Sequence, residues 1–237
     1  MILTYKDILL ALVNRDAATA QLLPDTGPQD GKWGPVTENG ALYFLDKEWE
    51  QICKLNNWRY TASAEKPRTS GGLRTQPIRR TIIHWPGASS ITANQMDRLI
   101  QRRASGADSA QGSTHFSIDE HEIVCHCAPH RVAWHAQGHN WDSIGIDICV
   151  SPLDIEATVE RGLFVGTTQW GGSPQHGNRW VKLHPAMAQK AFYLWLRFSE
   201  ALGETSVFDH AFVDSGRKID CIVWRDVLER QPWNFNQ

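Results

Sequence analysis

The sequence predicts an α/β domain of the α+β kind, a central mixed β-sheet flanked by helices, with a small helical domain in front of it. Three observations predict this. Two β-branched runs of strand length, Thr81-Ile82-Ile83 and the segment Ser143–Val150, read as buried strands. Helical spacing stands between and after them, in Met96, Leu99 and Ile100 of Thr92–Arg103 and in the amphipathic run Pro185–Leu202, which has Pro at its first turn and Gly203 beyond its end. The stretch Thr61–Pro77 is rich in Ser, Gly, Pro and charge, which marks a boundary before the strands begin. Strands interleaved with helices must bury their apolar faces against one another, and that yields a layered sheet domain.

In chain order, residues 1–62 form the helical domain, with amphipathic runs at Tyr5–Val13 and Asn39–Leu55 around a turn-rich stretch, Pro24–Pro35. Residues 63–77 are expected as a linker, and residues 78–237 as the sheet domain. Within the latter, Arg79–Trp85 is a buried strand ending in a histidine, His84. Thr114–Ile118 and Glu122–Cys127 form a hairpin that turns at Asp119-Glu120-His121. Ser151–Lys182 is long and irregular, which is the usual character of a functional loop. Ser206-Val207-Phe208 is a short strand leading to His210.

The 237 residues suffice for one domain with a sizeable core and a smaller partner. With 41% hydrophobic and 21% charged residues, the composition is that of a soluble globular protein, and no stretch has the apolar length of a membrane span. The apolar run from Ile8 to Val13 lacks a basic flank, so it reads as an amphipathic helix and not as a secretory signal, which implies synthesis in the cytoplasm. A net charge of −2 gives no electrostatic reason to expect nucleic acid as a partner. The five cysteines are odd in number and irregular in spacing, so they read as buried thiols in a reducing compartment, with Cys125 and Cys127 on one face of a strand. Eleven tryptophans exceed ordinary usage. Core packing accounts for many, while Trp170 and Trp180 stand in a Gly-rich loop where they either stack on a sugar or peptide or pack the loop onto the domain.

Among ten histidines, His84 stands out because it ends a buried strand, where sites tend to form in open α/β sheets. Lys218 and Asp220 follow His210 after the turn Asp214-Ser215-Gly216, which can fold them back toward it. Two imidazoles and a carboxylate make up a catalytic zinc set, although spacing alone leaves that open.

The segments Ile82-Ile83-His84, Thr114-His115-Phe116-Ser117-Ile118, Trp134-His135-Ala136, Ser143-Ile144-Gly145-Ile146-Asp147 and His210…Gly216-Arg217-Lys218-Ile219-Asp220 resemble the N-acetylmuramoyl-L-alanine amidase type 2 family, kin to peptidoglycan recognition proteins. The resemblance spans residues 79–232 in the family's order, and the His…Lys-x-Asp element is its most specific part. It implies Zn2+ held by His84, His210 and Asp220, with Lys218 steadying the oxyanion and Asp147 at the position of a catalytic glutamate. Asp147 is one methylene shorter than that glutamate, so Thr114 or a second water stands as its alternative. Trp85 is expected to wall the pocket, together with Trp134, Thr114 and His135 as substrate contacts, His135 being equally readable as structural. His115 is expected to pack or hydrogen-bond, and His121, His126, His130, His139, His176 and His184 to lie at the surface or around the site.

The chemistry calls for these types. Zinc lowers the pKa of bound water to about 7, a carboxylate takes its proton, and zinc with lysine offsets the charge of the tetrahedral intermediate. The implied reaction cuts the amide between the lactyl group of N-acetylmuramic acid and L-alanine of peptidoglycan.

Asp30-Gly31-Lys32-Trp33-Gly34-Pro35-Val36-Thr37 resembles the signature of small helical peptidoglycan-binding domains. The alternative for residues 1–62 is a helix–turn–helix packed onto the catalytic domain. A wall-binding module points to a monomeric, phage-type endolysin that reaches the cell wall once the membrane is breached. A cytosolic muropeptide-recycling amidase and a non-catalytic peptidoglycan-recognition protein are the alternatives.

Overall fold

The computed structural model describes residues 46, 49–74, 76, 78–86, 91–149, 164–167 and 179–182, helical positions between 187 and 198, and residues 206–214. Ten strands and two helices are used below. They are β1 (Arg59–Tyr60), β2 (Ser70–Leu73), β3 (Arg80–His84), α1 (Ala93–Ser105), β4 (Phe116–Ile118), β5 (Ile123–Cys125), β6 (Arg131–Ala133), β7 (Ser143–Ile148), β8 (Phe164–Thr167), β9 (Arg179–Lys182), β10 (Ser206–Asp209) and α2 (His210–Val213). Six of the strands form one mixed sheet in the order β1-β5-β4-β7-β3-β10. Only the β4–β5 hairpin is antiparallel in it; β4, β7, β3 and β10 run parallel. The α/β fold with a central mixed sheet is therefore as the sequence predicts. Among the described residues, no helix is long and apolar enough to cross a membrane.

Alternation along the strands explains the layering. Ile144, Ile146 and Ile148 of β7 join Ile83 and Phe116 in one core with Trp49, Cys53, Trp58, Met187, Ala191, Leu194 and Phe198. Phe116 is the hub of its aromatic part, with ring centroids 5.7 Å from Trp58, 6.1 Å from Trp49 and 5.5 Å from Phe198. The opposite face packs Val124, Cys127 and Cys149 against Met96 and Ile100 of α1. Thr92 caps α1 with a reciprocal capping box to Gln95, and Gly106 ends it at φ 82°, a left-handed conformation that favours glycine. The hairpin turns as expected, because Asp119 Oδ1 accepts from the backbone N–H groups of His121 and Glu122, each at 2.8 Å.

Three expectations change and a fourth narrows. Residues 63–77 carry a 3₁₀ turn (Ser63–Glu65), strand β2 paired with β6, and the buried Arg74, so this polar, glycine-rich stretch is part of the sheet domain. Arg74 explains why polarity misleads here: its guanidinium donates to the carbonyls of Pro129, Asn140, Trp141, Arg131 and Ser143 at 2.7–3.2 Å. Its pKa falls to about 10 through burial. Cys125 and Cys127 enter different cores, because β5 ends at Cys125 and the alternation ends with it. The irregular stretch 151–182 contains β8 and β9, which pair antiparallel. Of the two places expected for His126 and His130, the surface is excluded: both are buried, His126 by Asp97 and Ser117 and His130 by Asp46.

Residues 1–45 lie outside the described residues, and with them the Asp30–Thr37 motif. Trp49, Cys53 and Trp58, within the expected helical domain, supply core to the sheet. Removing residues 1–62 is therefore expected to abolish folding of the remainder. Near-ultraviolet circular dichroism of a 63–237 fragment checks this, and a native spectrum would contradict it.

Candidate active site

Parallel pairing sets the site. In the β3–β7 register His84 stands beside Asp147, Ile82 beside Gly145 and Arg80 beside Ser143. Residues opposite one another in a parallel pair share a face, so His84 and Asp147 lie on one side of the sheet at the C-terminal end of their strands. β10 pairs with the other edge of β3, Asp209 opposite Ile83, and the chain then turns into α2 at His210. Two histidines 126 positions apart thus meet, with His84 Nδ1 2.9 Å from His210 Nδ1 and both side chains buried.

His135 closes the cluster from above. Its Nδ1 lies 2.9 Å from His84 Nε2, and its Nε2 lies 3.1 Å from Ser143 Oγ. The ring rests on Gly145, where an added Cβ would meet ring atoms at 2.6 Å. Its loop is held by Asn140 Oδ1, which accepts from the N–H groups of His135 and Ala136 at 2.8 and 2.7 Å. His115 lies alongside, fully buried. Its Nδ1 accepts from the Gly145 N–H at 3.0 Å, and its Nε2 reaches the Arg131 carbonyl at 3.1 Å, so it hydrogen-bonds as the sequence reading expects.

Burial holds the pKa values of His115 and His135 well below the usual histidine range. Arg74 adds to this at His115, and His84 and His115 add to it at His135. Both rings are neutral near pH 7, so their nitrogens offer one donor and one acceptor each. Asp147 is buried, and its Oδ2 accepts from Thr114 Oγ1 at 2.9 Å.

Two of the expected ligands stand at a separation that a shared metal ion would allow. Two imidazole nitrogens on a tetrahedral zinc, each about 2.0–2.1 Å from it, stand roughly 3.3 Å apart. The facing Nδ1 atoms of His84 and His210, at 2.9 Å, are near that separation. Among the described residues no set of three His, Cys, Asp or Glu side chains is placed to hold a metal. Asp220, the expected third ligand, and Lys218 lie outside the described residues, as do Trp170, His176 and His184.

Of the expected substrate contacts, Trp134 is half-buried, its ring centroid 6.2 Å from that of Trp141 and its ring edge over Gly71. Thr114 is buried against Asp147. Trp85 is buried and packs in the core cluster that holds Ile83 and Phe116. Ser143 and Gly145 escaped the sequence reading, although the alternation Ser-Ile-Gly-Ile-Asp already puts them on the face of Asp147.

A second polar chain has the order of a nucleophilic triad: Asp97 Oδ1 lies 3.2 Å from His126 Nδ1, and His126 Nε2 lies 2.8 Å from Ser117 Oγ. All three side chains are buried where α1 covers the sheet, and Asp97 also bonds Ser63 and Arg59, so this chain braces α1 to the sheet.

The seat of His135 gives a test. Gly145→Ala is expected to lower stability by about 1–3 kcal/mol, the cost of overpacking against a rigid ring. Denaturant midpoints at unchanged slope read this out, and an unaltered midpoint would show that His135 is not seated on Gly145.

Solved structures similar in fold include the catalytic domain of XlyA, at 20% identity over 69% of this chain and 86% of that one with a TM-score of 0.41. A mutant endolysin from Bacillus subtilis is similar at 19% identity over 73% and 90%, TM-score 0.43. Peptidoglycan recognition protein-LE in complex with tracheal cytotoxin is similar at 14% identity over 74% and 94%, TM-score 0.48. No curated protein sequence matches the chain significantly. The family model of N-acetylmuramoyl-L-alanine amidase matches residues 74–220, from the buried Arg74 to Asp220, and the chain belongs to this type 2 amidase family.

Proposed function

We propose that the chain is a zinc-dependent N-acetylmuramoyl-L-alanine amidase that cuts the amide between the lactyl group of N-acetylmuramic acid and L-alanine of peptidoglycan, acting as a monomeric endolysin. The observation that carries this reading is the convergence of His84 Nδ1 and His210 Nδ1 at 2.9 Å beside the Asp147 carboxylate at the end of a parallel sheet. With Asp220 these histidines would hold Zn2+, which supplies Lewis acidity toward water and the amide carbonyl.

This chain's own groups do the rest. Asp147 takes a proton from the attacking water and returns it to the leaving amine, with Thr114 orienting its carboxylate. Lys218 offsets the charge that develops on the carbonyl oxygen. Trp134 offers a half-buried ring to the substrate. The endolysin setting rests on the Asp30–Thr37 motif.

The test is the release of new N-terminal alanine from purified sacculi, with and without chelator. Release that stops on chelation and returns with zinc is expected. Tight binding to sacculi without release at any zinc level would instead make the chain a recognition protein, and cleavage confined to soluble muropeptides would make it a recycling amidase. Asp220→Ala is expected to lose zinc and activity together. Lys218→Ala is expected to keep zinc and lose about 10²-fold in turnover, the scale of one oxyanion donor.

A further inference from the structure

The hydrogen bonds around His135 determine which nitrogen of His84 carries its proton. A serine hydroxyl has one proton, and Ser143 Oγ–H donates it to the His139 carbonyl, which can only accept. The same oxygen lies 3.1 Å from His135 Nε2. With its own proton already committed, it accepts there, so His135 carries its proton on Nε2. A neutral imidazole has one N–H, and His135 Nδ1 therefore presents a lone pair. That lone pair faces His84 Nε2 at 2.9 Å. His84 must donate across this contact, because two lone pairs at that distance repel.

We infer that His135, set by Ser143, is a positioning residue that holds His84 in its Nε2–H tautomer and so presents His84 Nδ1 as the metal-binding lone pair. The inference rests on the reading of His84 and His210 as zinc ligands and adds to it the ligating nitrogen and the groups that select it. The presented atom is the one that faces His210 Nδ1. The opposite tautomer would aim an N–H at the cation and set His84 Nε2 lone pair to lone pair against His135. The relay is anchored at each step. Gly145 leaves room for the His135 ring on the sheet, Asn140 Oδ1 fixes its backbone, and Arg74 holds the carbonyls of Asn140 and Ser143. A metal-ligating histidine that donates its other N–H to a fixed acceptor is both oriented and made more basic, an effect worth about 10–100-fold in metal affinity.

Two measurements on the full chain test this. In metal-free protein labelled with 15N in its imidazoles, long-range 1H–15N correlations above neutral pH are expected to show Nε2–H for both His84 and His135. An Nδ1–H pattern at His84 would overturn the inference. Zinc affinity, read by competition with a chelating dye, is expected to fall about 10–100-fold in His135→Phe, which keeps a ring over Gly145 and removes the acceptor. His135→Asn, whose amide oxygen can stand near the former Nδ1, is expected to recover most of the loss. Equal affinity in His135→Phe and the unaltered chain would overturn the inference. The tautomer is read on the unaltered chain, so a variant that does not fold leaves that arm decisive. If the unaltered chain shows the expected tautomer yet binds no zinc, the metal reading itself fails, and that outcome is distinct from a wrong tautomer.

Discussion

Parallel pairing of β3 with β7 on one side and β10 on the other is the constraint on which the site depends. Parallel strands in register bring their C-terminal ends to one edge, and here those ends carry His84, Asp147 and, one residue past β10, His210. Shifting β7 by one residue against β3 would turn Asp147 into the core and expose Ile146 on the site face, because side chains alternate with a period of two. The isoleucines at 144, 146 and 148 resist that shift, since they fill the core beneath the sheet. The apolar face thus fixes the position of the polar one.

The polar face is organised by a second device. Arg74 is a buried cation whose five donors reach five backbone carbonyls, drawn from Pro129 through Ser143. Those carbonyls belong to the segments that carry His135 and open β7, so one side chain ties together the loop above the site and the strand below it. A guanidinium suits this because its rigid fork offers five N–H groups in fixed directions, and lysine could satisfy at most three of the acceptors. Neutral His115 and His135 fill the space between, each with one nitrogen donating and one accepting.

The fold was legible wherever one period dominated. Thr81-Ile82-Ile83, the Ser143–Ile148 strand, the helix after Thr92 and the hairpin at Asp119 all appear where alternation, capping and turn chemistry place them. Polarity misled where a polar group was satisfied from within. Arg74 made residues 63–77 read as a linker, and polarity left His126 and His130 open to a surface position although carboxylates and Ser117 receive them in the interior. Trp85 belongs to the same core cluster as Ile83, two positions before it, whereas His84 between them is turned to the site. His84 and His210 were nominated by motif and strand end, and their meeting depends on a β3–β10 pairing that no local pattern encodes. Ser143 and Gly145 were readable in principle, since they share the face of Asp147, but their use appears only once His135 is seen lying across them.

The ligand set is the account's central claim, and X-ray absorption at the zinc edge of the loaded protein tests it most directly. Two imidazole nitrogens with oxygen as the remaining neighbours, all at about 2.0–2.1 Å and with no sulfur, is the predicted shell for His84, His210 and Asp220. A scatterer at about 2.3 Å would put a thiolate in the shell and shift the third ligand from Asp220 to a cysteine such as the adjacent Cys221, and a shell with a single imidazole would break the pairing of His84 with His210.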